Sequence, residues 1–214
     1  MFRCTTQDYD RIYAPWIARG TDLLDWSGWK PDLRLLDLCG GTGVVAKAAV
    51  AQGAMQTVAL FDLNPRCDIP GVTQTKGDAN QVGDYYEPNT FDVVVCRQAM
   101  AYLDPKVFFD SVAKIVKPGG HLVFNTFWNP PSTVGTKTMV FEGTRFAEAH
   151  VNLFDHIIHV QARLGWPLSV DVSMFRHHHF MDMWLMMERY FDMQADCQGK
   201  SVRVLGKRKS GYSL

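Results

Sequence analysis

The sequence predicts an α/β protein: a doubly wound, mostly parallel sheet, with a C-terminal antiparallel hairpin and an antiparallel β lobe inserted after the fifth strand. Three observations predict it. Short apolar runs alternate with helical stretches as far as Phe127, the pattern of strands buried on both faces by crossover helices. A glycine-rich turn, Gly40 to Gly43, joins the first run to an Ala-rich stretch. After Phe127 the alternation stops, and WNPPSTVGT opens a segment with two-residue periodicity.

Taken in order, Tyr9 to Trp29 carries Ile12, Tyr13, Trp16, Ile17, Leu23 and Leu24 at near-helical spacing with a break at Gly20, a helical cap over 1–30. Leu33–Leu38, Thr57–Phe61, Val72–Lys76, Phe91–Cys96 and His121–Phe127 are the five strands. Val44–Gln52 is a helix. So is Asp104–Lys117, with Asp104 as N-cap, Pro105 at the first helical position, and Phe108, Val112 and Ile115 on one stripe. The crossovers 63–71 and 79–90 are too short for full helices, so each is read as a loop or a single turn. The inserted lobe spans about 129–180, with antiparallel strands from Phe146, the clearest alternation at 169–175 and a turn at Gly165–Pro167. Met181–Tyr190 is a Met-rich helix read as core, and Met193–Cys197 with Val202–Lys207 forms the closing hairpin. Lys207–Lys209 is read as a solvated strand end.

The chain has 214 residues, with 22 Lys+Arg balancing 22 Asp+Glu. A neutral molecule has no general field for gathering phosphates, so nucleic acid is not expected as a partner. No apolar run reaches the ~20 residues that span a bilayer, and MFRCTTQDYDRIY lacks the apolar core of a signal peptide. A cytoplasmic protein without membrane contact is expected. The five cysteines lack CxxC spacing, which argues for reduced, packed thiols and no metal cluster.

The turn at Leu35–Gly43 lies where an open parallel sheet binds its ligand. Gly41-x-Gly43-x-x-Ala46, followed by Asp62 twenty-one residues on, also satisfies a dinucleotide fingerprint, which keeps a nicotinamide dehydrogenase in view. Asp37 argues against that ligand: at the mouth of the first strand its carboxylate would repel a pyrophosphate and welcome a cation. S-adenosylmethionine carries a sulfonium and an ammonium. Asp62 at the second strand end suits its ribose diol, and Asp78 after the third strand offers an acceptor to the adenine amino group.

LeuAspLeuCysGlyGlyThrGly at 36–43, Asp62, GlyAspAla at 77–79, PheAspValValValCysArgGlnAla at 91–99 and ValLysProGlyGlyHisLeuValPhe at 116–124 together resemble the class I S-adenosylmethionine-dependent methyltransferases. The resemblance implies a Rossmann-like fold, a single methyltransferase domain over 1–214, and S-adenosylmethionine as donor. It places Asp37, Cys39, Gly40, Gly41 and Gly43 at the methionine end, Asp62 and Leu63 at the ribose, Asp78 and Ala79 at the adenine, and Arg97 and Gln98 beside the methyl group. Cys39 departs from the family, which usually has glycine or another small residue there. Its expected role is filling space, because methyl transfer needs no enzyme nucleophile.

The layout also resembles glycine N-methyltransferase and the sugar-amine N,N-dimethyltransferases, where an inserted lobe covers a small acceptor. That implies N- or O-methylation of a small-molecule amine or hydroxyl, and a homodimer through the lobe. Gln98, Asn125 and Trp128 would shape the acceptor site. His177 and His179 share one strand face and are candidate bases; Tyr9 and Tyr13 are candidates to close over the cofactor. The histidines read equally as strand residues packed beside aromatics, and the tyrosines as a helical apolar stripe. A metal on His177, His179 and Asp171 lacks motif spacing, so none is assigned. A non-catalytic cofactor-binding regulator and an RNA or protein methyltransferase are the alternatives.

Overall fold

Seven strands in the order β3-β2-β1-β4-β5-β9-β8 make up the main sheet of the computed structural model. The structure describes residues 21–54, 56–127, 138–141, 144–147, 180–198 and 201–211. Strands β1 (Leu35–Leu38), β2 (Val58–Asp62), β3 (Thr73–Lys76), β4 (Phe91–Cys96) and the first-paired part of β5 (Val116–Phe127) run parallel. The closing strands β8 (Phe191–Gln198) and β9 (Ser201–Arg208) pair antiparallel with each other, and β9 pairs antiparallel with β5. The strand order reverses between β1 and β4, so a crevice opens at their carboxyl ends.

Side chains alternate between two apolar layers. Leu36, Leu38, Val94, Leu122 and Phe124 face α3 (Pro105–Ile115) and α4 (Phe180–Met187), packing on Phe108, Phe109, Val112, Met183 and Met187. Leu35, Leu60, Val93, Val95 and Val123 face α1 (Thr21–Trp26) and α2 (Val44–Ala51), against Leu23, Leu24, Val45, Ala46 and Ala49. Full burial of such a side chain stabilises the fold by roughly 1.5–3 kcal/mol. The buried Met183 and Met187 make the Met-rich helix core, as the sequence implied. The short crossovers also hold: 63–71 contains no helix, and 79–90 contains one 3-10 turn, Ala79–Asp84.

Three features depart most from expectation. Helix α3 ends at Ile115, and β5 begins at once, because Pro118 disfavours helical backbone in the residue before it. The register then slips: Phe91 pairs with Val116 but Val93 with His121, so residues 117–120 bulge. Gly120 is required there, since a Cβ would lie 2.7 Å from the Asp92 carbonyl oxygen. Antiparallel strands start before Phe146: β6 (Thr138–Phe141) pairs with β7 (Thr144–Ala147). Arg208 is no solvated strand end either: it is buried and donates to Asn89 Oδ1 and the Val116 carbonyl, tying β9 to the start of β5. Arg208→Ala is therefore expected to destabilise the fold by about 2–3 kcal/mol through the unpaired Val116 carbonyl, read as a lowered urea midpoint.

Candidate functional site

The chain leaves β1 through backbone conformations that few residues adopt. Cys39 has φ 58°, Gly41 53° and Gly43 77°, and Gly43 is the N-cap of α2. The turn closes through Gly43 N–H on the Gly40 carbonyl at 2.7 Å, and Gly40 N–H on the Phe61 carbonyl at 3.3 Å. Glycine is needed at Gly40 because a Cβ would sit 2.7 Å from Asp37 Cγ. Among the described residues, a Cβ on Gly41 would meet nothing within 4 Å.

Asp37 stands under this turn, 1% exposed, with Oδ2 accepting the Ala46 N–H at 3.0 Å. The carboxylate caps α2 from the preceding strand, since Gly43 has no side chain to do so. Burial pushes its pKa from 3.8 up to about 7; the Ala46 bond and the Arg97 charge pull the other way, and Asp62 adds to the rise. A charge so poorly solvated is stabilised by any cation that enters the crevice.

Asp62 ends β2 half-buried and is already engaged: Oδ2 accepts from Gly41 N–H at 2.9 Å and Oδ1 from Asn64 N–H at 2.8 Å. It pins the glycine turn while keeping a second lone pair on each oxygen. Leu63 follows, 64% exposed at the rim. The crossover after it forms the floor of the turn: Arg66 N–H donates to the Gly41 carbonyl at 2.9 Å, and Cys67 packs under Gly43. Neither link has a sequence signal, because both are contacts between loops. Asp78 is exposed and caps the 3-10 turn that opens on the buried Ala79.

Beyond β4, Arg97 is half-buried and Gln98 exposed, with Gln98 in the left-handed region at φ 53°. Its N–H donates to Asn125 Oδ1 at 2.7 Å, which locks the ends of β4 and β5 together. Cys39 meets Cys96 side by side; that thiol–thiol hydrogen bond, then burial, raises the Cys39 pKa well above its ordinary value. It is a neutral packing thiol, as the sequence implied. His121 lies at the opposite end of the sheet, paired in register with Lys207, its pKa lowered by burial and by that lysine. The structure thus gathers Asp37, Cys39, Gly40, Gly41, Gly43, Asp62, Leu63, Asp78, Ala79, Arg97 and Gln98 at the carboxyl ends of β1 to β4. Tyr9, Tyr13, Trp128, Asp171, His177 and His179 lie outside the described residues.

Residues 8–164 match a family described as a methyltransferase domain. A curated relative, the ubiquinone biosynthesis O-methyltransferase of Vibrio cholerae, is 30% identical over 108 residues, 44% of this chain and 41% of that protein. The match therefore spans less than half the relative's length. Among solved structures, a Pyrococcus horikoshii protein aligns with TM-score 0.65 at 16% identity, covering 98% of this chain and 100% of the other. Phosphoethanolamine N-methyltransferase 2 of Haemonchus contortus, solved with S-adenosyl-L-methionine, aligns with TM-score 0.67 at 13% identity over 96% of this chain and 57% of that one. With its strand order, its switch-point crevice and a family match over most of its length, this chain belongs to the methyltransferase-domain family and has a Rossmann-like fold.

Proposed function

We propose that the chain transfers a methyl group from S-adenosylmethionine to an amine or hydroxyl of a small molecule. The observation that carries this reading is Asp37, a buried carboxylate with a raised pKa under a glycine turn at the carboxyl ends of the strands. The fit is chemical: a cation offsets the desolvation of Asp37, and a nucleotide pyrophosphate would aggravate it. S-adenosylmethionine supplies an electrophilic methyl on a sulfonium. Asp37, Gly40, Gly41 and Gly43 are assigned to its methionine end, Asp62 with Leu63 to the ribose, and Asp78 with Ala79 to the adenine. Arg97 and Gln98, with Asn125 behind Gln98, form the wall on the acceptor side. The two named relatives support both an oxygen and a nitrogen acceptor.

The chain's part in the reaction is alignment and exclusion of water, the main demands of an in-line displacement. Tyr9, Tyr13, His177 and His179 remain the candidates for closing the site and taking the acceptor's proton. The inserted lobe as a distinct substrate-covering unit, a homodimer through it and a cytoplasmic location belong to the same proposal, resting on layout. Sedimentation of the full chain reads the dimer.

Calorimetry with S-adenosylmethionine and S-adenosylhomocysteine tests the donor, and methylation of a panel of amines and phenols tests the acceptor. Asp62→Ala is expected to weaken S-adenosylhomocysteine binding at least tenfold, through lost ribose contacts and an unpinned Gly41. Cys39→Gly relieves about 1 kcal/mol of left-handed strain and is expected to leave donor affinity within about twofold. No binding by folded protein at millimolar ligand sinks the proposal; binding without turnover on any acceptor favours a regulatory protein instead.

A further inference from the structure

Asn80 belongs to none of the motifs above, yet it joins two loops of the donor site. Its backbone N–H and its Nδ2 both donate to Asp78 Oδ1, at 2.9 and 3.0 Å. Its own Oδ1 accepts the Asp104 N–H at 2.8 Å. Asp104 caps α3 in the segment after β4, so one half-buried side chain links the loop after β3 to the loop after β4. The two ends of an amide are chemically opposite. With its oxygen held by the Asp104 N–H, the amide must turn its nitrogen toward Asp78; the reverse orientation would set two acceptors face to face. Both bonds converge on one carboxylate oxygen. Among the described residues, Oδ2 of Asp78 carries none.

We propose that Asn80 is the positioning residue for recognition of the donor's base: anchored by the Asp104 N–H, it fixes the Asp78 carboxylate so that Oδ2 is presented to the exocyclic amino group of adenine. This rests on the assignment of Asp78 to the adenine made above. Fixing matters because adenine and hypoxanthine present different donors along the same edge. Adenine offers its amino group, whereas hypoxanthine has an oxygen there and carries its donor one position away, on N1. A carboxylate free to rotate can follow the donor to N1; a carboxylate held through Oδ1 cannot, and it faces the hypoxanthine oxygen instead.

The experiment is calorimetry on the full chain with S-adenosylhomocysteine and its deaminated analogue S-inosylhomocysteine, read as the ratio of the two affinities. The wild type is expected to favour the adenine form at least tenfold, the scale of one charge-assisted hydrogen bond. Asn80→Ala is expected to cut that ratio roughly threefold to tenfold. Asn80→Asp keeps the acceptor for the Asp104 N–H but sets a second carboxylate against Asp78 in place of the donor, so it should reduce the ratio at least as much as Asn80→Ala, with a lowered melting temperature. Asp78→Ala separates the two ideas. A ratio unchanged in Asp78→Ala overturns the adenine assignment, and the role of Asn80 with it. A ratio that collapses in Asp78→Ala but survives in both Asn80 variants overturns Asn80 alone. Equal weakening of both ligands at constant ratio marks a purely structural link between the loops and also overturns the proposal.

Discussion

Replacing Asp37 by Asn is expected to make the unliganded protein more stable at pH 8 while weakening S-adenosylmethionine binding at least a hundredfold. The stability half follows from linkage. The carboxyl has a pKa of about 7 in the fold against 3.8 when unperturbed. Below pH 3.8 both states hold the proton and the group costs nothing. Between 3.8 and 7 only the folded state keeps it, so stability falls as pH rises; above about 7 the full cost persists, of order 4 kcal/mol. Asparagine cannot ionise, and its side-chain oxygen still accepts the Ala46 N–H. Urea unfolding of the two proteins should therefore nearly coincide at pH 4 and diverge progressively to pH 8, the variant being the more stable. The binding half has the opposite sign. A cationic donor pairs with the ionised carboxylate, so wild-type affinity should rise with pH through 7 and carry release of about one proton, both absent in the variant. Parallel pH curves for the two proteins, or donor affinity within threefold at pH 8, would remove Asp37 from the site.

Gly43→Ala is expected to destabilise the protein by about 2–4 kcal/mol and to weaken donor binding more than tenfold. Two costs combine at this residue. A Cβ at φ 77° meets the left-handed penalty, about 1 kcal/mol, and the same Cβ would lie 2.5 Å from Cys67 Sγ and 3.2 Å from Leu60 Cδ1. Overpacking of that kind costs typically 1–3 kcal/mol. Only the second part can be relieved by a partner. Cys67→Ala removes the sulfur, so the double variant should recover about 1–2 kcal/mol relative to additivity and still bind the donor poorly, because the backbone of the turn stays strained. Thermal unfolding of the four proteins measures the coupling; strict additivity would show that Cys67 is not the floor under Gly43.

Much of this architecture was legible in the one-dimensional pattern. Leu35–Leu38 and Phe91–Cys96 are apolar at every position but Asp37 and Asp92 because both faces of a central parallel strand are covered, and no tertiary knowledge is needed to read that. Asp104 followed by Pro105 announces α3 through local capping alone. Asp62 could be placed because it ends an apolar run, and Asp37 because it stands one residue before the end of another; Asp78 follows the polar Thr73–Lys76 and was legible only through GlyAspAla at 77–79. The bulge at 117–120 was not legible, since it depends on how Gly120 meets the Asp92 carbonyl in a neighbouring strand. Arg208 was misread as solvated for a similar reason: its partners, Asn89 and Val116, lie far away in sequence.

The same division runs through the site. Residue type and spacing along the chain determined the sheet, the glycine turn and the acids beside it, because strand burial, capping and left-handed turns are decided within a few residues. Tertiary structure alone decided what holds those pieces in register: Asp62 on Gly41, Cys67 beneath Gly43, and Asn80 between Asp78 and Asp104. These are contacts between loops brought together by a crossing of strands, and the hydrogen bonds and charges that make them act over ångströms in space, at separations along the chain that no local pattern encodes.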